Sequence, residues 1–149
     1  MVVRREIALA AAAEEVWDVV SDPARLSDWW PGVTRVEDAT ATAWTTVLTS
    51  AKGKAVRADY TRVAAEEGRR LVWRQEVDES PFERILAAAT TEIALEPADG
   101  GTKVAIALDQ RARGWARFAP LQFRAAGVRQ VRGAANGLEA LFEGGAKPG

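Results

Sequence analysis

The chain has 149 residues with 20 basic and 21 acidic side chains, for a formal charge of −1. That length fits one domain able to bury roughly two thirds of its unfolded surface without a metal or disulfide staple, and the balanced charge offers no global field toward nucleic acid or anionic lipid. There is no histidine and no cysteine, which removes Ser-His-Asp and Cys-His nucleophilic catalysis, thiol redox chemistry and almost every zinc, haem or iron–sulfur site.

Carboxylates, arginines, hydroxyls, one tyrosine and six tryptophans remain for chemistry. An enzyme built from them relies on Arg, Tyr, Asp or Glu as proton carriers and oxyanion partners, and nothing groups these residues along the chain. A role without catalysis, cofactor or metal is therefore expected. No apolar run approaches the roughly 20 residues of a membrane span. Met1-Val2-Val3-Arg4-Arg5-Glu6 lacks the apolar stretch that follows the charges of a signal peptide, so a cytoplasmic address is expected.

Strand one is predicted over Val3 to Leu9, where Val3, Ile7 and Leu9 give part of a period-two pattern. Ala10 to Ala13 lead into a short helix in which Val16, Val19 and Val20 recur at spacings of three and four. A second short helix opens at Asp22, whose carboxylate suits the free amides of a first turn, with Pro23 where a missing N–H costs nothing. Pro31-Gly32 ends it.

Strands are then predicted over Val33 to Ala39, Ala43 to Ser50, Ala55 to Ala64, Arg70 to Val77, Glu83 to Glu96 and Thr102 to Arg111. Short polar or Gly-containing spacers separate them, the strongest being Asp99-Gly100-Gly101, and spacers this short imply an antiparallel meander. From about Ala116 a long helix is predicted. Phe123, Gly127, Val128, Val131, Ala134, Ala135, Leu138, Leu141 and Phe142 share one arc of it, and about 25 residues give about 37 Å, enough to cross a curved sheet. Residues 1–143 are expected as one domain and 144–149 as a disordered tail.

The order of strand, two small helices, six strands and a long helix resembles the helix-grip fold. The START-related lipid-transfer, birch-pollen-allergen and polyketide cyclase/dehydrase (SRPBCC) proteins share it. The resemblance is carried by Glu15-Val16-Trp17-Asp18-Val19-Val20, Ser21-Asp22-Pro23, Trp29-Trp30-Pro31-Gly32-Val33 leading to Val36-Glu37, and Gly101-Thr102-Lys103-Val104. It implies an α+β architecture in which a curved, antiparallel seven-stranded sheet wraps around the C-terminal helix, with two short helices between strands 1 and 2. It also implies a cavity between helix and sheet, opening where helix two, the strand-connecting loops and the start of the last helix meet.

Period-two alternation independently places Ala58, Tyr60 and Arg62, then Trp73 and Gln75, then Ala87, Ala89 and Thr91, and finally Gln110 on the inner face. Two packings are open. The small residues either leave a pocket rimmed by Trp44, Tyr60 and Trp73, or let the helix descend and fill the core. Gln75, Gln110 and Arg62 favour the pocket, because burial without partners is expensive.

Trp29 and Trp30 are adjacent on a turn, so one can face the core while the other faces solvent or the pocket mouth. Trp115 after Gly114 is a candidate lid. Arg124, inside the apolar arc beside Val128, is a candidate to meet an anionic ligand group. The remaining arginines from Arg111 to Arg132 read as a solvated helix face without aromatic interleaving.

The expected function is binding of a small hydrophobic molecule, lipid-like or aromatic, as carrier or sensor. The protein is expected as a monomer or weak homodimer with no nucleic-acid partner. Resemblance to aromatase/cyclases supplies an alternative in which Arg62 polarises a substrate carbonyl and Tyr60 assists. A protein-interaction module of the same fold is the other.

Overall fold

The computed structural model describes residues 1–146. Its elements are β1 (Val2–Leu9), α1 (Ala13–Val20), a 3-10 turn (Pro23–Arg25), α2 (Leu26–Trp29), β2 (Val33–Glu37), β3 (Ala43–Thr49) and β4 (Ala55–Glu66). They continue with β5 (Arg70–Glu76), β6 (Leu86–Ala98), β7 (Gly101–Ala112), a second 3-10 turn (Gly114–Phe118) and α3 (Pro120–Ala146). All seven expected strands form one antiparallel sheet in the order β1-β7-β6-β5-β4-β3-β2. It is a helix-grip fold whose sheet does not close, since β1 and β2 are unpaired edges.

Local chemistry explains the two helical breaks. The Asp22 carboxylate accepts from the Ala24 amide at 3.1 Å, with Pro23 first in the turn. The second expected helix is split here into a 3-10 turn and one turn of α2. At the other end α3 begins at Pro120, not near Ala116. Ala119 has φ −129°, ψ 57°, outside the helical region, which is disfavoured for a residue before proline, and the preceding residues tighten into the 3-10 turn. The helical backbone then runs through Ala146, into the segment expected as tail; the rest of that tail, 147–149, lies outside the described residues.

Gly101-Thr102 joins the sheet to the first helix. A Cβ on Gly101 would stand 1.8 Å from the Leu9 carbonyl oxygen, so only glycine lets β7 start beneath the end of β1. The buried Thr102 hydroxyl donates to the Ala11 carbonyl at 2.7 Å, fixing the approach to α1.

The core lies between the concave sheet face and the helices. Val16, Ile93, Val104, Ile106, Ala134, Ala135 and Leu138 are fully buried in it. α3 rests chiefly on β1, β7 and α2, so it covers one side of the sheet and stands away from β3, β4 and β5. That offset leaves the space described next.

Candidate functional site

A cavity of about 210 Å³ opens between β3–β6 and the first turns of α3. Trp30, Trp44, Tyr60 and Trp73 form one wall. Their rings are in direct contact: Trp30 meets Trp73 edge-on at 5.8 Å, Trp73 meets Trp44 edge-on at 5.8 Å, and Trp44 stacks on Tyr60 at 6.0 Å. Trp29 extends the chain into the core through an edge contact with Trp30 at 5.4 Å. Such edge-to-face and offset contacts hold ring orientations more tightly than aliphatic packing does.

Strand pairing builds that wall. Trp44 stands opposite Tyr60 and Tyr60 opposite Gln75, so one row crosses β3, β4 and β5. Arg62 opposite Trp73 begins the next. The floor is Ala89, Thr91 and Leu108, small enough to leave the void, and α3 closes the roof with Phe123, Ala126, Gly127 and Gln130. At the mouth Phe82 and Ile85 come from the β5–β6 connection. There the Phe82 carbonyl accepts from both Ile85 and Leu86 amides, and the Ser80 hydroxyl accepts from the Phe82 amide. These turns hold Glu83–Ile85 out of β6, so that strand starts later than expected.

No side chain lining the cavity is charged among the described residues. Its polar members are Thr46, Tyr60, Gln75, Thr91, Gln110 and Gln130. Burial pushes the Tyr60 phenol up to about 12, with the Thr46 hydroxyl pulling weakly the other way; the phenol is neutral throughout the physiological range and serves as a hydrogen-bonding group rather than a base. Two donors of the wall are sealed from water without a protein acceptor among the described residues: Trp44 Nε1 and Gln75 Nε2. The same holds for Trp29 Nε1, outside the cavity.

A buried, unpaired amide is costly. Gln75→Leu is therefore expected to raise the stability of the ligand-free protein by about 1–2 kcal/mol. Thermal unfolding checks it, and a lower melting temperature contradicts the assignment.

Eight of the residues singled out in the sequence converge here: Trp30, Trp44, Tyr60, Trp73, Gln75, Ala89, Thr91 and Gln110. The others stand elsewhere. Trp29 is buried in the core, as the residue of the pair that faces away from the void. Ala58 is on the inner face but fully covered. Ala87 is the extra residue of a bulge between Leu86 and Ala88, which turns Leu86 inward in its place.

Arg62 does not enter the cavity. Its guanidinium donates to the Ser21 carbonyl at 2.9 Å, at the C-terminal end of α1, where free carbonyls and the helix dipole favour a cation. Tyr60 lines the cavity and Arg62 does not. Trp115 is exposed and does not line the cavity. Arg124 is exposed, donates to the Val2 carbonyl at 3.5 Å and does not line the cavity. Val128 packs against the core without reaching the void.

Several lining residues were missed. Phe123, Ala126, Gly127 and Gln130 recur at spacings of three and four on α3, a stripe visible in the sequence once Gln130 is grouped with its apolar neighbours. Phe82 sits in irregular backbone, where no periodicity reports which way a side chain points.

Fold and site together define the chain as a helix-grip protein with an aromatic, charge-free cavity among its described residues. Residues 1–143 match the family described as "Polyketide cyclase / dehydrase and lipid transport", and the chain belongs to that family. A search of curated proteins finds no match. Among solved structures, the chain is similar to the Zhui aromatase/cyclase from Streptomyces sp. R1128, with TM-score 0.80, 18% identity, and 99% and 96% of the two chains covered. A START superfamily protein from Mycobacterium smegmatis gives TM-score 0.74 and 16% identity over 96% of this chain and 97% of that one. The di-domain aromatase/cyclase BexL from the BE-7585A biosynthetic pathway gives 0.79 and 21% over 99% of this chain. The chain spans about half of BexL, 48% of its length. Identities this low show a shared fold.

Proposed function

We propose that this protein binds a small, uncharged, ring-containing hydrophobic molecule and acts as its carrier or sensor. The observation that carries the reading is the 210 Å³ aromatic cavity without a charged lining residue. An ionised ligand entering it would lose hydration with no countercharge to replace it, which disfavours fatty acids and other anions and narrows the lipid-like expectation to neutral compounds. An apolar cavity of about 150 Å³ admits benzene, so this one suits a ligand somewhat larger than a single ring. A cyclase reading has no support from Arg62, whose guanidinium is engaged with Ser21.

Titration of indole fluorescence with a neutral naphthalene-type probe tests the proposal, because Trp30, Trp44 and Trp73 all line the site. Saturable quenching is expected in the wild type. Ala89→Phe places a ring in the void from a floor position and is expected to abolish saturation while far-UV circular dichroism stays unchanged. Linear quenching in the wild type, or equal saturation in both proteins, defeats the reading. Native mass spectrometry of freshly purified protein then identifies whatever compound accompanies it.

A further inference from the structure

The segment that leads into the cavity roof carries apolar side chains left uncovered among the described residues. Trp115, Phe118 and Leu121 are 69%, 84% and 82% exposed, large aromatic and aliphatic surfaces that a soluble protein rarely leaves together. They do not hang from a loose loop. Ala116, between them, is buried. Gly114 has φ +63°, and a Cβ there would stand 2.5 Å from the Arg84 carbonyl oxygen. The Arg113 amide donates to the Ile85 carbonyl at 2.8 Å. The backbone is thus clamped to the β5–β6 connection while the apolar side chains project away from it.

Charge is segregated in the same place. From Gln110 to Leu138 the chain has six arginines and no acidic residue, although the whole chain has a formal charge of −1. Arg113 is answered by Asp78 at 3.7 Å. Arg117 lies over the Phe118 ring at 5.9 Å and has no ion-pair partner among the described residues. The arginines of this stretch are exposed, as expected of a solvated face, but the exposed rings of Trp115 and Phe118 stand among them, which corrects the expectation that no aromatic residue interleaves.

We infer that Trp115, Phe118 and Leu121, flanked by Arg117 and Arg124, form a docking surface for an anionic lipid bilayer. Three projecting apolar side chains at a turn and a helix start are few for a specific protein interface, which buries about 800 Å² per partner, but they match the interfacial anchors that sink into the headgroup region. Arginines around them add attraction to anionic headgroups that falls off within a Debye length. Phe123, Ala126 and Gly127, on the following turns, line the cavity, so docking by this surface sets the cavity mouth at the lipid boundary. The inference concerns surface binding and stands whether or not the cavity holds the proposed ligand.

Flotation of the full chain with vesicles of phosphatidylcholine alone, and of phosphatidylcholine mixed with phosphatidylglycerol, tests it. Binding to the anionic vesicles is expected, weakening with added salt and much weaker on phosphatidylcholine. The variant Trp115→Ser/Phe118→Ser/Leu121→Ser and the variant Arg117→Glu/Arg124→Glu are each expected to lower partitioning at least about tenfold with unchanged circular dichroism. Should the triple variant misfold, the charge-reversed pair alone decides. Wild-type protein that stays in the dense fraction with anionic vesicles overturns the inference, whatever acidic protein or nucleic acid it retains, and so does a correctly folded variant that floats as the wild type does.

Discussion

Gly137→Ala is expected to destabilise the protein by about 2–3 kcal/mol, lowering the melting temperature by roughly 5–10 °C for a chain of this size. Helix propensity alone argues the reverse, since alanine in place of an interior helical glycine gains up to about 1 kcal/mol. Sterics decide the sign. An added Cβ at Gly137 stands 2.2 Å from the Trp29 carbonyl oxygen, 3.0 Å from its carbonyl carbon and 3.1 Å from its Cα. All three are backbone atoms of α2, so no rotamer change relieves the overlap and the helices must separate. Trp30 follows immediately and lines the cavity, so the same substitution is expected to weaken ligand binding from a position outside the site. Gly127→Ala supplies the contrast. There the Cβ meets only side-chain tips, Gln110 Oε1 at 3.3 Å and Val3 Cγ2 at 3.4 Å, and stability is expected to hold or rise slightly. Thermal unfolding of both variants checks the pair; a Gly137→Ala protein as stable as the wild type removes the close α2–α3 contact from the account.

Legibility differed sharply between elements and for physical reasons. Period-two alternation holds where large and small residues differ, so Trp73 and Gln75 in β5, and Ala89 and Thr91 in β6, lie on the inner face that the alternation predicts. The same alternation fails in Leu86-Ala87-Ala88-Ala89, because three successive alanines carry no register and the bulge among them shifts the parity. Arg62 was placed on the correct face, opposite Trp73, yet its partner is a carbonyl 41 residues earlier. Nothing local announces a helix end waiting for a cation. The paired tryptophans divided as adjacency requires, Trp29 to the core and Trp30 to the cavity. Exposure of Trp115 was illegible because the Gly114-Trp115 step carries no signal of which way the ring points, toward the mouth or into solvent.

Trp73→Ala is the second substitution with a large expected effect, about 3–5 kcal/mol of lost stability, or a fall in melting temperature of roughly 10 °C or more. Its indole is buried and touches both Trp30 and Trp44 edge-on, each at 5.8 Å, so its removal cuts the aromatic chain at the middle and widens an existing void instead of letting neighbours collapse into it. The β-sheet row that holds Trp44 and Tyr60 is fixed by backbone pairing, which prevents the wall from closing over the gap. An enlarged apolar hole that cannot collapse binds the fragment it lost. Added indole is therefore expected to raise the melting temperature of Trp73→Ala in a concentration-dependent way, as mass action requires for a ligand of the folded state, while leaving Ala89→Phe unmoved. Recovery in the first and none in the second would tie the stability of the wall to the emptiness beside it; indole without effect on Trp73→Ala would mean that the site closes when the ring is removed, and that the cavity is not held open by the sheet.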